Sequence, residues 1–119
     1  MEVSIRLEAL ERAASALMER RHLGDALVAA LAAVQAEPLR ESARRLVVQT
    51  QIAQGNAAEA IHSYREYRSL LHHELGLQPS RLMDQLIQSL ASPVTAAQRR
   101  PDLRLTGRIQ PERREFRVR

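Results

Sequence analysis

A chain of 119 residues with 45% hydrophobic side chains is long enough for one core and too short for two. It has no cysteine, which excludes disulfides, thiolate catalysis and thiolate metal sites. All eighteen basic residues are arginine, and their placement matters more than their total: residues 1–92 carry ten against eleven acids, a net of −1, whereas residues 93–119 carry eight against three, a net of +5. The body therefore has no basic footprint for nucleic acid. Aromatics are only 3%, and the apolar residues are mostly Ala and Leu, which favours helices over strands.

The N-terminus, MEVSIRLEALER, lacks the charged start and continuous apolar run of a secretion signal. No stretch approaches the roughly eighteen apolar residues of a membrane span, so a soluble, cytoplasmic protein is expected. Val3, Leu7, Leu10, Ala14 and Leu17 recur at spacings of four, three, four and three, which predicts a first helix over about 3–20. ArgArgHisLeuGly turns the chain into a second helix, over about 24–36. There Ala26, Ala30 and Ala33, with Leu27, Leu31 and Val34 beside them, let a neighbouring helix approach closely.

The stretch AVQAEPLRES, residues 33–42, stops that helix at Pro38 and restarts at once, as a joint between two helices that fold back on each other. A third helix, to about Gln54, puts Ala43, Leu46, Val47 and Thr50 on one face and Arg45, Gln49 and Ile52 on another. Gly55 suits the left-handed residue that ends a helix, and Asn56 with Glu59 has capping-box spacing. The fourth helix starts there, with a stripe of Ala57, Ala60, Ile61, Tyr64, Leu71 and Leu75. It ends at GluLeuGlyLeuGlnProSer: Gly76 caps it, Leu77 folds back onto the last turn, and Pro79 blocks resumption. Ser80 caps a fifth helix carrying Leu82, Met83, Leu86, Ile87 and Leu90, to about Ala91.

From Ser92 the helical period is lost, and three of the five prolines follow, so disorder is expected. Arg99, Arg100, Arg104, Arg108, Arg113, Arg114, Arg117 and Arg119 make this tail a candidate electrostatic contact for nucleic acid, an acidic protein or a membrane surface. LeuArgLeuThr at 103–106 and PheArgValArg at 116–119 alternate apolar and polar residues, as strands paired to a partner would.

Candidate chemistry in the body is sparse. Tyr64, Arg65, Tyr67 and Arg68 bring aromatic and basic groups together, as single-stranded nucleic-acid sites do. Tyr64 falls on the apolar stripe, however, and the stem of Arg68 can cover the core while its head reaches Glu66 or Glu74, so packing is the better reading. His72 and His73 are adjacent on a helix and point about 100° apart, which prevents them from sharing a metal ion. No Gly-rich phosphate loop, nucleophile elbow or isolated carboxylate pair is present. Glu8, Glu11, Glu19, Glu41 and Glu66 mostly lie at helical spacing from arginines, as on an ion-paired solvated face. No catalytic, cofactor or metal site is expected.

Ala26 and Ala60 stand thirty-four residues apart, as do Ala30 and Tyr64, Ala33 and Tyr67, and Arg21 and Gly55, and thirty-four is the tetratricopeptide period. Gly55, Ala60 and Tyr64 fit the second-helix pattern of that repeat, and Ala26, Ala33 and Pro38 fit a preceding copy. Arg21 replaces the turn Gly, Tyr67 the second Ala and His72 the Pro, and Val48 stands where a small residue is usual.

Over about residues 5–90, AEPLRESARRL and then AQGNAAEAIHSYREYRSLLHHELGLQPS resemble the bacterial transcriptional activator domain of the Streptomyces antibiotic regulatory protein family and related regulators. The matching residues are Pro38 to Glu41, Gly55, Ala60, Tyr64, Arg65, Arg68, Glu74 to Leu77, and Pro79. The resemblance implies a tetratricopeptide-like helical domain acting in transcriptional regulation, normally behind a winged-helix DNA-binding domain. Met1 lies directly at helix one, so a chain without that domain is expected, working through a partner or through its tail.

The expectation is thus an all-α fold: tetratricopeptide-like antiparallel pairs, about five helices over 1–92, and a disordered basic tail over 93–119. Its expected function is a non-enzymatic protein-interaction module in transcriptional regulation, with nucleic-acid binding through the tail as the alternative. In tetratricopeptide-like stacks the first helix of each pair lines the inner groove, which makes Arg45, Gln49 and Ile52 the candidate partner contact. About two and a half repeats leave Val3, Leu7 and Leu10 at one end, and Leu82, Leu86, Ile87 and Leu90 at the other, partly uncovered. A homodimer, or a complex with another regulator, is expected to cover them.

Overall fold

The computed structural model describes residues 2–91, with side-chain surroundings for residues 5–90. Five α-helices occupy that span: α1 (Glu2–Glu19), α2 (Leu23–Ala36), α3 (Glu41–Ala53), α4 (Ala57–Leu75) and α5 (Arg81–Ala91). There is no strand among the described residues. The tail arginines, the two alternating stretches and the expected disorder beyond residue 92 lie outside the described residues. Contacts group Met1–Ile87 into one compact unit, to which the side chains discussed below belong; Gln88–Arg119 falls in a second unit, of which the last turn of α5 is the described part.

α1 packs on α2, α2 on α3 and α3 on α4, and α1 also meets α3. The alanine stripe makes this possible. Ala14, Ala30, Leu46 and Val47 form one buried cluster with Met18, Leu27, Ala29 and Val34 against it. Leu7, Ala33 and Ala43 form another, flanked by Leu10 and Val34. With methyl groups at the contact points, three helices close over one core using few large side chains. Thr50 is fully buried in it, and its hydroxyl is satisfied by donating to the Leu46 carbonyl at 2.7 Å.

The thirty-four-residue period is visible in the backbone as well as in the sequence. At the end of α1, Arg21 N–H donates to the Met18 carbonyl and His22 N–H to that of Leu17; at the end of α3, Gly55 N–H donates to Ile52 and Asn56 N–H to Gln51. Each partner lies thirty-four residues beyond its counterpart, and both pairs are the Schellman arrangement. Gly55 sits at φ 81°, and Arg21 adopts φ 66° in the same place without glycine's freedom.

Three local expectations are corrected. Asn56 makes no side-chain cap, and its N–H is already committed to Gln51, so the reciprocal bond of a capping box has no donor. Gly76 ends α4 in the left-handed region, but with the single bond to His72 of the simpler cap, and Leu77 stays 54% exposed instead of folding back. The buried face of α4 comprises Ala60, Tyr67 and Leu71, while Tyr64 is half-buried and Ala57 and Leu75 are exposed. Tyr67 can be buried because a carboxylate on α3 meets its hydroxyl.

Candidate functional site

That carboxylate is Glu41, at the first position of α3 just after the Pro38 joint. It accepts hydrogen bonds from the Tyr67 hydroxyl at 3.0 Å, the Ser80 backbone N–H at 3.0 Å, the Ser80 hydroxyl, and Arg45 Nη1 at 3.2 Å. Burial works to raise its pKa, but the Ser80 and Tyr67 bonds and the charge of Arg45 outweigh it and hold the carboxyl below its ordinary range. Tyr67 is pushed the other way, up to about 12, by burial first and then by donating to the Glu41 anion. Arg44 closes the other side: its Nε donates to the Pro38 carbonyl at 2.9 Å and its guanidinium lies 5.6 Å from the centre of the Tyr67 ring. Burial lowers the Arg44 pKa, and the charges of Glu66 and Tyr67 oppose that shift.

On the α1 side of the joint, Glu11 Oε2 accepts from Arg40 Nε at 2.8 Å and from the Ser42 hydroxyl at 2.7 Å. Burial opposes ionisation of Glu11; the bonds from Arg40 and Ser42, with the charges of Arg40 and Arg45, nevertheless keep its pKa low. The Glu11–Arg40 pair spans twenty-nine residues, so helical spacing does not reveal it; among the described residues only Glu41–Arg45 is an i,i+4 pair of the kind expected. ProLeuArgGlu and the Ser80 region are thus joined physically. Arg40 ties α1 to the joint, and Glu41 ties the joint to α4 and to the start of α5, where the Ser80 hydroxyl also accepts from Met83 N–H at 3.4 Å.

These contacts set the floor between α1 and α3, where an open groove of about 630 Å³ runs. Glu8, Glu11, Arg12, Ser15, Ala16 and Glu19 line it from α1, and Ser42, Arg45, Leu46 and Gln49 from α3. Positions 8, 12, 15 and 19 recur at spacings of four, three and four, and 42, 45 and 49 at three and four, so each helix presents one face. Three carboxylates against two guanidiniums give the lining a net charge of −1. Of the sequence-predicted contact residues, Arg45 and Gln49 are half-buried in this lining, and Ile52 is half-buried outside it. The acidic half, from α1, has a sequence signal in its four-three-four spacing that reading α3 alone passes over.

The described residues present an all-helical domain with an open, charged groove shared by two helices. The family model for the bacterial transcriptional activator domain matches residues 3–91, and the chain belongs to that family, with a role in bacterial transcriptional activation. It is a family of transcription regulators rather than of enzymes. Neither the curated proteins nor the solved structures yield a match to this chain. No described helix is long and apolar enough to cross a membrane.

Proposed function

We propose that the helical domain, taken as residues 1–92, is a non-enzymatic protein-interaction module of bacterial transcriptional regulation that receives its partner in the α1/α3 groove. The observation that carries this reading is the meeting of Arg45 and Gln49 with Glu8, Arg12 and Glu19 across one open channel. Such a lining suits an extended protein segment bearing polar and basic groups, held by charge complementarity. The helix order and the thirty-four-residue recurrence of the turns support a tetratricopeptide-like stack, in which this groove is the inner surface.

Of the residues expected to stay uncovered at the ends, Leu7 is buried and Leu82 is exposed; Ile5 on α1 is exposed as well, and a homodimer through a terminal helix is the form to test. Work in transcription is work in the cytoplasm of a bacterium.

A photo-crosslinking residue at Gln49, carried by the full chain in native cells, is expected to trap one protein partner, whereas the same residue at Gln85 on α5 traps none. Arg45→Glu with Gln49→Ala should weaken binding of that partner while keeping helical content and lowering the melting temperature by only a few degrees, since the lost Glu41 pair is worth about 0.3–0.5 kcal/mol. Retained binding, or equal adducts from both positions, would remove the groove assignment. Sedimentation at micromolar concentration tests the homodimer separately.

A further inference from the structure

A second notch, of about 450 Å³, opens on α4 and the loop after it, lined by Arg65, Arg68, Ser69, His72 and Gln78. Every one of these side chains is able to donate a hydrogen bond, and none is a carboxylate or an apolar group. Arg65, Arg68 and His72 follow at spacings of three and four, so the helical pitch aligns them on one ridge about 10 Å long. Glu59, Glu66 and Glu74, the acids of α4, fall roughly 100° to 180° around the helix from Arg65.

Such segregation differs from a solvated ion-paired face, where acids and bases sit three or four residues apart. The ion pairs among the described residues are Glu11–Arg40 and Glu41–Arg45, and neither involves this ridge. Arg68 does not reach Glu66 or Glu74, as its spacing suggested. Its guanidinium instead lies 5.5 Å from the centre of the Tyr64 ring, and the Tyr64 hydroxyl is fixed by donating to Asp84 at 2.8 Å. The guanidinium is thereby held beside the ring, and with five N–H donors it keeps more than Tyr64 can engage.

We propose that this notch is a phosphate-backbone contact: duplex DNA lies along the α4 ridge, with Arg65, Arg68 and His72 meeting neighbouring phosphates and Ser69 and Gln78 donating to their oxygens. Charged and neutral donors together are the side chains that position proteins on a DNA backbone, and such contacts carry no base information. An acidic protein segment is the competing occupant. Protein-binding sites draw most of their energy from a desolvated anchor in a pocket; Ala16 and Leu46 are there to meet one in the α1/α3 groove, whereas no apolar residue lines this notch. The site lies on a different helix from the α1/α3 groove and does not depend on it. Because residues 1–92 carry a net charge of −1, the contact orients bound DNA rather than supplying high affinity.

The test uses the full chain and a fluorescein-labelled duplex of arbitrary sequence, with affinity measured by anisotropy across a salt series. Each lost phosphate contact lowers the slope of log affinity against log salt by about 0.9, so Arg65→Gln with Arg68→Gln should lower it by about 1.8. Arg6→Gln with Arg20→Gln, which removes the same charge from α1 and the turn after it, should leave the slope unchanged. If loss of Arg68 from the Tyr64 ring lowers the melting temperature, Arg65→Gln alone decides, with an expected change of about 0.9. Equal slopes for the two double variants, or no DNA binding at the lowest salt, would overturn the proposal. So would an α4 double variant that weakens binding of labelled polyglutamate and leaves the DNA slope alone, which would assign the notch to an acidic protein.

Discussion

Replacing Glu41 with alanine removes one carboxylate that accepts four hydrogen bonds, and their surroundings decide the cost. Ser80 is exposed, so water replaces most of what its two bonds contribute. The Arg45 pair is partly exposed and is worth about 0.3–0.5 kcal/mol. Tyr67 is only 2% exposed, and its hydroxyl loses a charged acceptor, which costs about 1.5–3 kcal/mol. The total is about 2–3 kcal/mol, a large share of the 5–15 kcal/mol typical of a domain, and corresponds to a fall in melting temperature of about 10–20 °C. Urea and thermal unfolding followed by circular dichroism measure it directly. Tyr67→Phe removes the donor instead, so the double variant should be less destabilised than the sum of the singles by about 1 kcal/mol. A Glu41→Ala cost below about 0.5 kcal/mol, or strict additivity with Tyr67→Phe, would refute the reasoning.

Arg21→Gly should stabilise the domain by about 0.5–1 kcal/mol in the same assay, because relief of the φ 66° strain exceeds the added freedom of the unfolded chain. Glu11 and Glu41 both have folded pKa values below the ordinary 4.5, so their contribution to stability is complete above that pH and is lost as pH falls through the lower folded values. The urea midpoint should therefore decline below about pH 4.5, and less steeply when both are replaced by Gln. Tyr67 titrates near 12 instead of 10, so its contribution is present below pH 10 and is lost as pH rises through 12. Near-ultraviolet absorbance should show tyrosinate forming late, and Glu41→Gln should bring Tyr67 ionisation to lower pH. Ala30→Leu, at a fully buried contact with Ala14, Leu46 and Val47, should cost about 1–3 kcal/mol by overpacking, while Val28→Ala on the exposed side of α2 stays within about 0.5 kcal/mol.

What the sequence determined by itself was local. Helix ends at Pro38, Gly55 and Gly76 follow from backbone dihedrals and missing donors, which act within a few residues. The core stripe of Ala26, Ala30 and Ala33 follows from helical period alone, and the thirty-four-residue spacing carried the repeated turns. The resemblance through ProLeuArgGlu and GluLeuGlyLeu named the family that residues 3–91 match.

Only the tertiary structure decided which side chains meet across helices. Glu11 finds Arg40 and Ser42, twenty-nine and thirty-one residues on, because α1 lies against the start of α3. Glu41 finds Ser80, thirty-nine residues on, because α4 returns the chain to that joint. No spacing rule reaches such distances. Tyr67 is buried in place of a solvent position because Glu41 is there to take its hydroxyl, and Glu59 has no reciprocal bond to make because the Gln51 carbonyl already takes the Asn56 N–H. Arg68 was within reach of sequence reasoning, since Tyr64 stands one turn before it. Choosing between an aromatic face and a carboxylate, however, required the position of the Tyr64 ring, whose hydroxyl donates to Asp84 on α5. Periodicity specifies the face a residue occupies; the partner it meets there depends on how closely the alanine stripes let the helices approach.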